Sequence, residues 1–284
     1  MTPSYDNLIM QGGGIRCLWQ AGFLSAVAPH WERMPGTIFA VSAGAAIACA
    51  FAADRLDAGV ETFREAVSRN KKNFYPSHLL CRKPAFPHAA MYRALLSDVL
   101  NDSGMKALRR GADVEILLCR PPRRLSAVTV KALLLGIGLS RRFSTTRKIS
   151  STLIRMSGLS PEFVSVRSCL DARSVTDLVL ASSSTPPFTP LFSYQGRHAL
   201  DGGVLESVPM SGLRPAGAGA LVMLTSPYRP VTQRSLLSQH SALTYVAPSR
   251  HVDGAPWDYA NPRLLDAFYS LGKEDGARFV ESKA

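Results

Sequence analysis

Several features that would place a chain in a class at once are missing from this sequence. Its cysteines, Cys17, Cys49, Cys81, Cys119 and Cys169, are odd in number and scattered, with no CxxC pair and no Cys/His cluster at zinc spacing. A disulfide framework and a structural zinc site are therefore excluded, and buried reduced thiols are expected. The opening MTPSYDNLIMQGGG lacks a basic stretch followed by an apolar one and a small-residue cleavage site, so a cytoplasmic chain without a secretory signal is expected. No apolar run is long enough for a membrane span. The uncharged stretch Thr37 to Ala53 falls at the short edge of the roughly 20 residues needed, and Ala and Gly dominate it. Internal repeats and low-complexity segments are absent. Acidic charge is scarce, and between Ile116 and Pro161 there is none at all.

What remains is enough for a packed core. With 284 residues and 46% hydrophobic content, the chain reads as one large α/β domain or two smaller ones, and disorder is excluded. Lys and Arg number 33 against 21 Asp and Glu, a net +12, which points to an anionic partner: a phospholipid surface, a nucleic acid or a phosphorylated substrate. Within GTIFAVSAGAAIACAFAADR, Gly36 to Arg55, the start Thr37-Ile38-Phe39 predicts a buried strand, Val41-Ser42-Ala43-Gly44 a tight turn, and the alanine-rich remainder a buried helix. A serine at such a turn is pushed out at the strand's carboxyl end, with the first amides of the helix facing back toward it. Its neighbours must be small because strand and helix nearly touch there. This is the pattern of a nucleophile elbow, GxSxG, with Ala40 in place of the first glycine. A plain core turn fits the isolated motif equally well.

Two further stretches bear on the choice. Tyr5 to Met10 predicts a first strand, followed by Gln11-Gly12-Gly13-Gly14-Ile15-Arg16 and a helical pattern, CLWQAGFLSAV. Three glycines between strand and helix let unobstructed N–H groups approach negative charge. The loop lacks the Lys-Ser/Thr ending of a P-loop and the GxGxxG spacing of a dinucleotide site, which leaves an oxyanion hole or a simple turn. Far downstream, Arg197 to Leu200 predicts a strand end and Asp201-Gly202-Gly203 a turn presenting a carboxylate, preceded by the small-polar, proline-rich loop ASSSTPPFTP, Ala181 to Pro190.

In this order GGGIR, AVSAG, ASSSTPPF and LDGG resemble the four motifs of the patatin-like phospholipase family. The resemblance covers most of the chain. It implies a three-layer α/β/α fold with a central, mostly parallel sheet and a hydrolase of fatty-acyl esters of phospholipids or related lipids, of phospholipase A or lysophospholipase type. It implies Ser42 as nucleophile, Asp201 as its base, the amides of Gly12, Gly13 and Gly14 as oxyanion hole, and no cofactor or metal. Arg16, at the family's basic position, implies either support of the loop or contact with substrate phosphate. The departures are Ala40, Cys17 where glycine is usual, and Ser207 where Asn is frequent, with Pro209 retained. None removes a reacting group.

Aspartate is a weak base for a hydroxyl, so the pair depends on placement, water exclusion and oxyanion stabilisation. His198, three residues before Asp201, falls on the opposite face of a strand, and His240 and His251 read as surface histidines. The acid-free segment carries Arg120, Arg123, Arg124, Lys131, Arg141, Arg142, Arg147, Lys148 and Arg155 around the apolar run Ala127 to Leu139. Either an interfacial anchor on an anionic membrane or a core element with a solvated basic face fits it. Further helices are predicted over Asp57–Arg69, Ala89–Leu100 and Asn261–Ser282, and strands over Val114–Cys119 and Ala220–Thr225. The expected organisation is one catalytic domain, 1–284, with about 120–160 as a candidate cap. Acyl transfer to an acceptor other than water, and a non-enzymatic anion- or nucleic-acid-binding module, are the competing functions. No helix-turn-helix, zinc-finger or RRM signature supports nucleic acid, and oligomeric state is left open.

Overall fold

The computed structural model describes residues 5–81, 83–143, 156–213, 219–227 and 243–283, with residues 79–80 and 137–143 described by backbone alone. Its sheet is built from β1 (Asn7–Met10), β2 (Thr37–Val41), β3 (Asp113–Arg120), β4 (Ser160–Ser165), β5 (Phe192–Tyr194), β6 (Arg197–Asp201), β7 (Ala220–Met223) and β8 (Leu243–Val246). The order is β5-β6-β3-β2-β1-β7-β8, with β4 also paired to β3. From β3 to β8 the ladder is parallel, and β4, β5 and β6 add antiparallel pairs. The predicted strand over Ala220–Thr225 ends at Met223, and the others fall where their β-branched runs place them.

Alternation along these strands separates two buried faces. Leu8, Met10, Ile38, Ala40, Ile116 and Leu118 point into one core, beneath α1 (Leu18–Val27), α2 (Ala43–Ala52), α3 (Leu56–Arg69), α5 (His88–Val99), α8 (Ala172–Ser182) and α9 (Pro262–Glu281). Ile9, Phe39 and Val222 face the other way, where the turn Met210–Gly212 covers them. On that same side α7 (Ala127–Phe143) covers Cys119 and Leu200. The result is a three-layer α/β/α arrangement. Short helices α4 (Pro76–Leu80) and α6 (Asp102–Arg110) complete the described elements.

The first and last helices pack on glycine. A Cβ at Gly272 would sit 2.1 Å from the Trp19 carbonyl oxygen, and one at Gly22 would sit 2.0 Å from that of Tyr269, so α1 and α9 approach backbone to backbone. Asp275 pins them, accepting from Trp19 Nε1 at 2.8 Å and the Ser249 N–H at 3.0 Å and pairing with Arg278. Burial would raise its carboxyl, but those hydrogen bonds outweigh it and hold the group below its ordinary value.

The apolar run Ala127 to Leu139 forms most of α7. Its Val130 and Leu134 are buried on Leu200 and Val204, while Val128 and Leu135 stand exposed. Two expectations are corrected. Arg120 is not part of a basic surface: it is buried at the end of β3, where Glu162 of neighbouring β4 pairs with it at 2.7 Å and the carbonyls of Tyr194 and Arg197 accept at 3.2 and 3.3 Å. Of the cysteines, Cys17, Cys49, Cys119 and Cys169 are buried thiols but Cys81 is exposed.

His88 is buried in the core, stacked on Tyr92 at 4.4 Å between ring centroids, and burial pushes its imidazole down to about 4. In the unfolded chain it takes a proton near 6.5, so the native state loses stability as pH falls through that value toward 4. At about pH 4.5 the expected loss is about 2–3 kcal/mol relative to neutral pH. Urea titrations at the two pH values, compared with His88→Gln, measure it: the variant should lose that part of the slope.

Candidate active site

Ser42 and Asp201 are 159 positions apart, and the register of β3 brings them together. β2 runs parallel to β3 and ends with Val41 opposite Leu117. β6 runs antiparallel and ends with Asp201 opposite Leu118. Because β4 occupies the other edge of β3 over Glu115–Arg120, β2 and β6 share one edge and their carboxyl ends meet head-on. The residue after Val41 therefore faces the last residue of β6. Ser42 Oγ donates to Asp201 Oδ2 at 2.7 Å.

The elbow is strained and braced. Ser42 has φ 55° and ψ −130°, a conformation costing a non-glycine residue about 1–3 kcal/mol. Ser182 Oγ accepts the Ser42 N–H at 2.9 Å and donates to the Leu117 carbonyl at 2.8 Å, filling the gap between the two strand ends. Gly44 permits the crossing over the first loop, since a Cβ there would lie 2.7 Å from the Gln11 carbonyl oxygen. Ala40 is fully buried without disturbing the turn, as its methyl faces the core cluster. α2 begins at Ala43 with no acidic residue in its first turn, so its positive end lies directly beside the hydroxyl.

Asp201 is held as firmly. Its Oδ1 accepts the Gly203 N–H at 2.7 Å, its own N–H donates to the Ser184 carbonyl at 2.8 Å, and Thr185 Oγ1 reaches Oδ2 at 3.4 Å. Within the single run Ala181 to Thr185, Ser182 holds the nucleophile's backbone, Ser184 holds the backbone of Asp201 and Thr185 reaches its carboxylate. The motif was visible in the sequence, but these three separate contacts were not. They depend on where α8 ends beneath β3.

The glycine loop is oriented through its carbonyls. Thr225 Oγ1 donates to the Gly12 carbonyl at 3.3 Å and Arg16 Nε donates to that of Gly13 at 3.3 Å. Each peptide is planar and trans, so the N–H groups of Gly13 and Gly14 point opposite to those tethers. The Gly14 amide has no acceptor among the described residues, while the Gly13 N–H is directed at the Cys17 sulfur beneath the loop. Gly12 differs from expectation: its N–H donates to the Ser207 carbonyl at 3.1 Å, because the turn after Asp201 returns the chain alongside the loop. Buried Gln20 secures the base of the loop through the Gln11 and Met223 carbonyls, both at 3.0 Å, and Gln11 Oε1 accepts the Thr225 N–H at 2.9 Å.

Ser42, Asp201, Arg16 and the glycines line an open cavity of about 330 Å³, closed on one side by Pro256 and Trp257. The last two carried no signal in the sequence. Cys17 lies under the loop, its thiol raised by burial, and burial pushes Cys119 up to about 12, with the Asp201 charge adding to it, so neither is poised as a nucleophile. His198 Nδ1 contacts Ser193 Oγ at 3.1 Å and His251 Nδ1 contacts Asp253 at 3.1 Å, both on the exposed surface away from the pair. His240 lies outside the described residues. Among the described residues no cluster of His, Cys, Asp or Glu could hold a metal, and no helix is long and apolar enough to cross a membrane.

No curated protein matches the chain. Among solved structures, VipD from Legionella pneumophila is similar at 11% identity and a TM-score of 0.47, with 99% of this chain and 67% of that one covered. The type III effector protein ExoU is similar at 12% identity and a TM-score of 0.37, with 99% and 53% covered. The chain thus spans about two thirds of one and about half of the other. The model of the patatin-like phospholipase family matches residues 8–214, from β1 past the turn that follows Asp201. That span contains the glycine loop, the elbow, the serine run and the aspartate, and on its strength the chain belongs to the patatin-like phospholipase family, whose members are lipid acyl hydrolases.

Proposed function

We propose that the protein cleaves fatty-acyl esters of phospholipids or lysophospholipids through Ser42 and Asp201. The observation that carries this reading is the 2.7 Å contact between the two side chains at the meeting of β2 and β6. Ser42 Oγ attacks the acyl carbonyl as its proton passes to Asp201 Oδ2. The amides of Gly13 and Gly14 and the first turn of α2 stabilise the oxyanion, while Gly12 holds the loop in place. On collapse the alcohol leaves with the proton from Asp201, and the acyl group stays on Ser42. A water then attacks the acyl carbonyl as its proton passes to Asp201, which returns it to the departing Ser42 Oγ as the fatty acid is released. Arg16 braces the loop through Nε, and from the lining of the cavity its Nη groups are set to meet a headgroup phosphate. A fluorophosphonate probe should label the wild type at Ser42 and leave Ser42→Ala unlabelled. Labelling at any other residue, or none in a folded protein, would refute the assignment.

A peripheral contact of α7 with an anionic membrane belongs to the same reading. It is supported by exposed Val128 and Leu135 beside exposed Arg123, Arg124 and Lys131. Arg147 and Lys148 lie outside the described residues, as do the side chains of Arg141 and Arg142. Changing Arg123, Arg124 and Lys131 to Gln should weaken binding to anionic vesicles by about 1 kcal/mol per charge at low salt, with no change on a small soluble ester. Equal vesicle binding by wild type and triple variant would leave these residues as an ordinary solvated face.

A further inference from the structure

Exposed large apolar side chains are few among the described residues, and three of the eight, Phe74, Phe188 and Trp257, fall in one place. With half-buried Phe86 they form a continuous row of rings. Centroids lie 5.0 Å apart from Phe74 to Phe86, 5.5 Å from Phe86 to Phe188 and 4.6 Å from Phe188 to Trp257. The rings come from four loops, and those of Phe74, Phe86 and Trp257 are tied together by hydrogen bonds. The Tyr75 N–H donates to the Ala85 carbonyl at 2.8 Å, Asn73 Nδ2 donates to Asp258 Oδ1 at 2.8 Å, and the Tyr259 N–H donates to Asn73 Oδ1 at 2.7 Å. The row is therefore a built surface.

It is also continuous with the catalytic cavity. Trp257 lines that cavity, and the Phe188 N–H bonds to the carbonyl of Thr185, whose hydroxyl reaches Asp201. Aromatic rings held in water are costly to leave uncovered, and they are favoured at the boundary between headgroups and hydrocarbon. Exposed Lys71, Lys72 and Lys83 flank the row in its own loops and outnumber the two carboxylates, Asp253 and Asp258, in the loop of Trp257. This pairing of apolar rings with a basic rim complements a lipid bilayer bearing anionic headgroups.

We infer that the row Phe74–Phe86–Phe188–Trp257 is the surface on which the enzyme sits on such a bilayer, with Trp257 where a lipid passes from the membrane into the Ser42 cavity. The inference rests on the lipid acyl hydrolase reading above. A substrate insoluble in water has to reach Ser42 without crossing it, and seating the cavity rim in the lipid meets that requirement.

The test is co-flotation with phosphatidylcholine vesicles containing phosphatidylserine. A Phe74→Ser/Phe188→Ser double variant should lose about tenfold in partition, at high salt as at low, because apolar insertion is not screened. Hydrolysis of vesicle substrate should fall in parallel while a small soluble ester is cleaved at the wild-type rate. In the wild type, Trp257 emission should shift to the blue on vesicles and be quenched by brominated lipid. Trp257→Phe should abolish that shift, since Trp19 is buried and Trp31 is packed against Tyr5 and Phe51, apart from the row. A folded double variant that floats like the wild type would overturn the inference, as would a Trp257 untouched by brominated lipid, a readout that needs no variant to fold. Ser42→Ala should float normally. If it kept its turnover the catalytic reading would fail while flotation still judged the surface, so the two failures are distinguishable.

Discussion

Ser42→Ala and Asp201→Asn should each lower esterase turnover by about 10³-fold or more, with little effect on folding, because a pair that acts as a unit loses nearly everything when either member is removed. Alanine deletes the only nucleophilic atom and leaves the brace from Ser182 intact, since that contact is made by the backbone N–H. Asparagine keeps an oxygen for the Gly203 N–H at the Oδ1 position, so the turn survives. It then presents an amide to Ser42 Oγ, which donates a hydrogen where a proton acceptor is required. The double variant should be scarcely slower than either single one. Single-turnover assays on a soluble ester, with circular dichroism to establish folding, check the result. Near wild-type turnover in either folded variant would refute the dyad.

Gly14→Ala should cost about 10²–10³-fold in kcat with a smaller change in KM, the size expected when an oxyanion donor is displaced. Gly14 has φ +62°, which an L side chain rarely adopts, and a Cβ there would lie 2.0 Å from the Pro256 carbonyl oxygen. That same carbonyl accepts the Ile15 N–H at 2.8 Å, so it has no room to retreat without releasing the start of the helical turn. The loop must shift, and the Gly13 and Gly14 amides shift with it. Gly196→Ala is the matching control. It also has positive φ, +71°, but a Cβ there meets nothing within 4 Å. It should cost about 1 kcal/mol of stability and no turnover. Similar kcat losses in both variants would show that backbone strain in general, rather than the position of the amides, is what is being measured.

Much of the architecture was legible because local chemistry agreed with the final environment. Thr37-Ile38-Phe39 is β-branched and aromatic, Ala43 to Ala52 is small and uninterrupted, and both predict what β2 and α2 became, as their burial leaves no competing face. The glycine loop and the Asp-Gly-Gly turn were legible for a related reason, since only glycine tolerates those close approaches. Arg120 misled, because its partner Glu162 lies just beyond the acid-free stretch and only the antiparallel register of β3 and β4 pairs them. Gly12 misled because the carbonyl that takes its N–H belongs to Ser207, in a turn whose return path no local pattern encodes.

The sequence by itself thus determined which groups are available: a serine on an elbow, a carboxylate at a strand end, and glycines able to expose their amides. Tertiary structure alone decided their distances. Ser42 meets Asp201 because a parallel and an antiparallel strand end against each other on one edge of β3. Ser182 bridges the gap that this meeting leaves, and Trp257 reaches the cavity because Asn73 ties its loop to another far away in sequence. Each is a contact across long sequence separation, set by register and packing, whereas composition and periodicity report only on neighbours within a few residues.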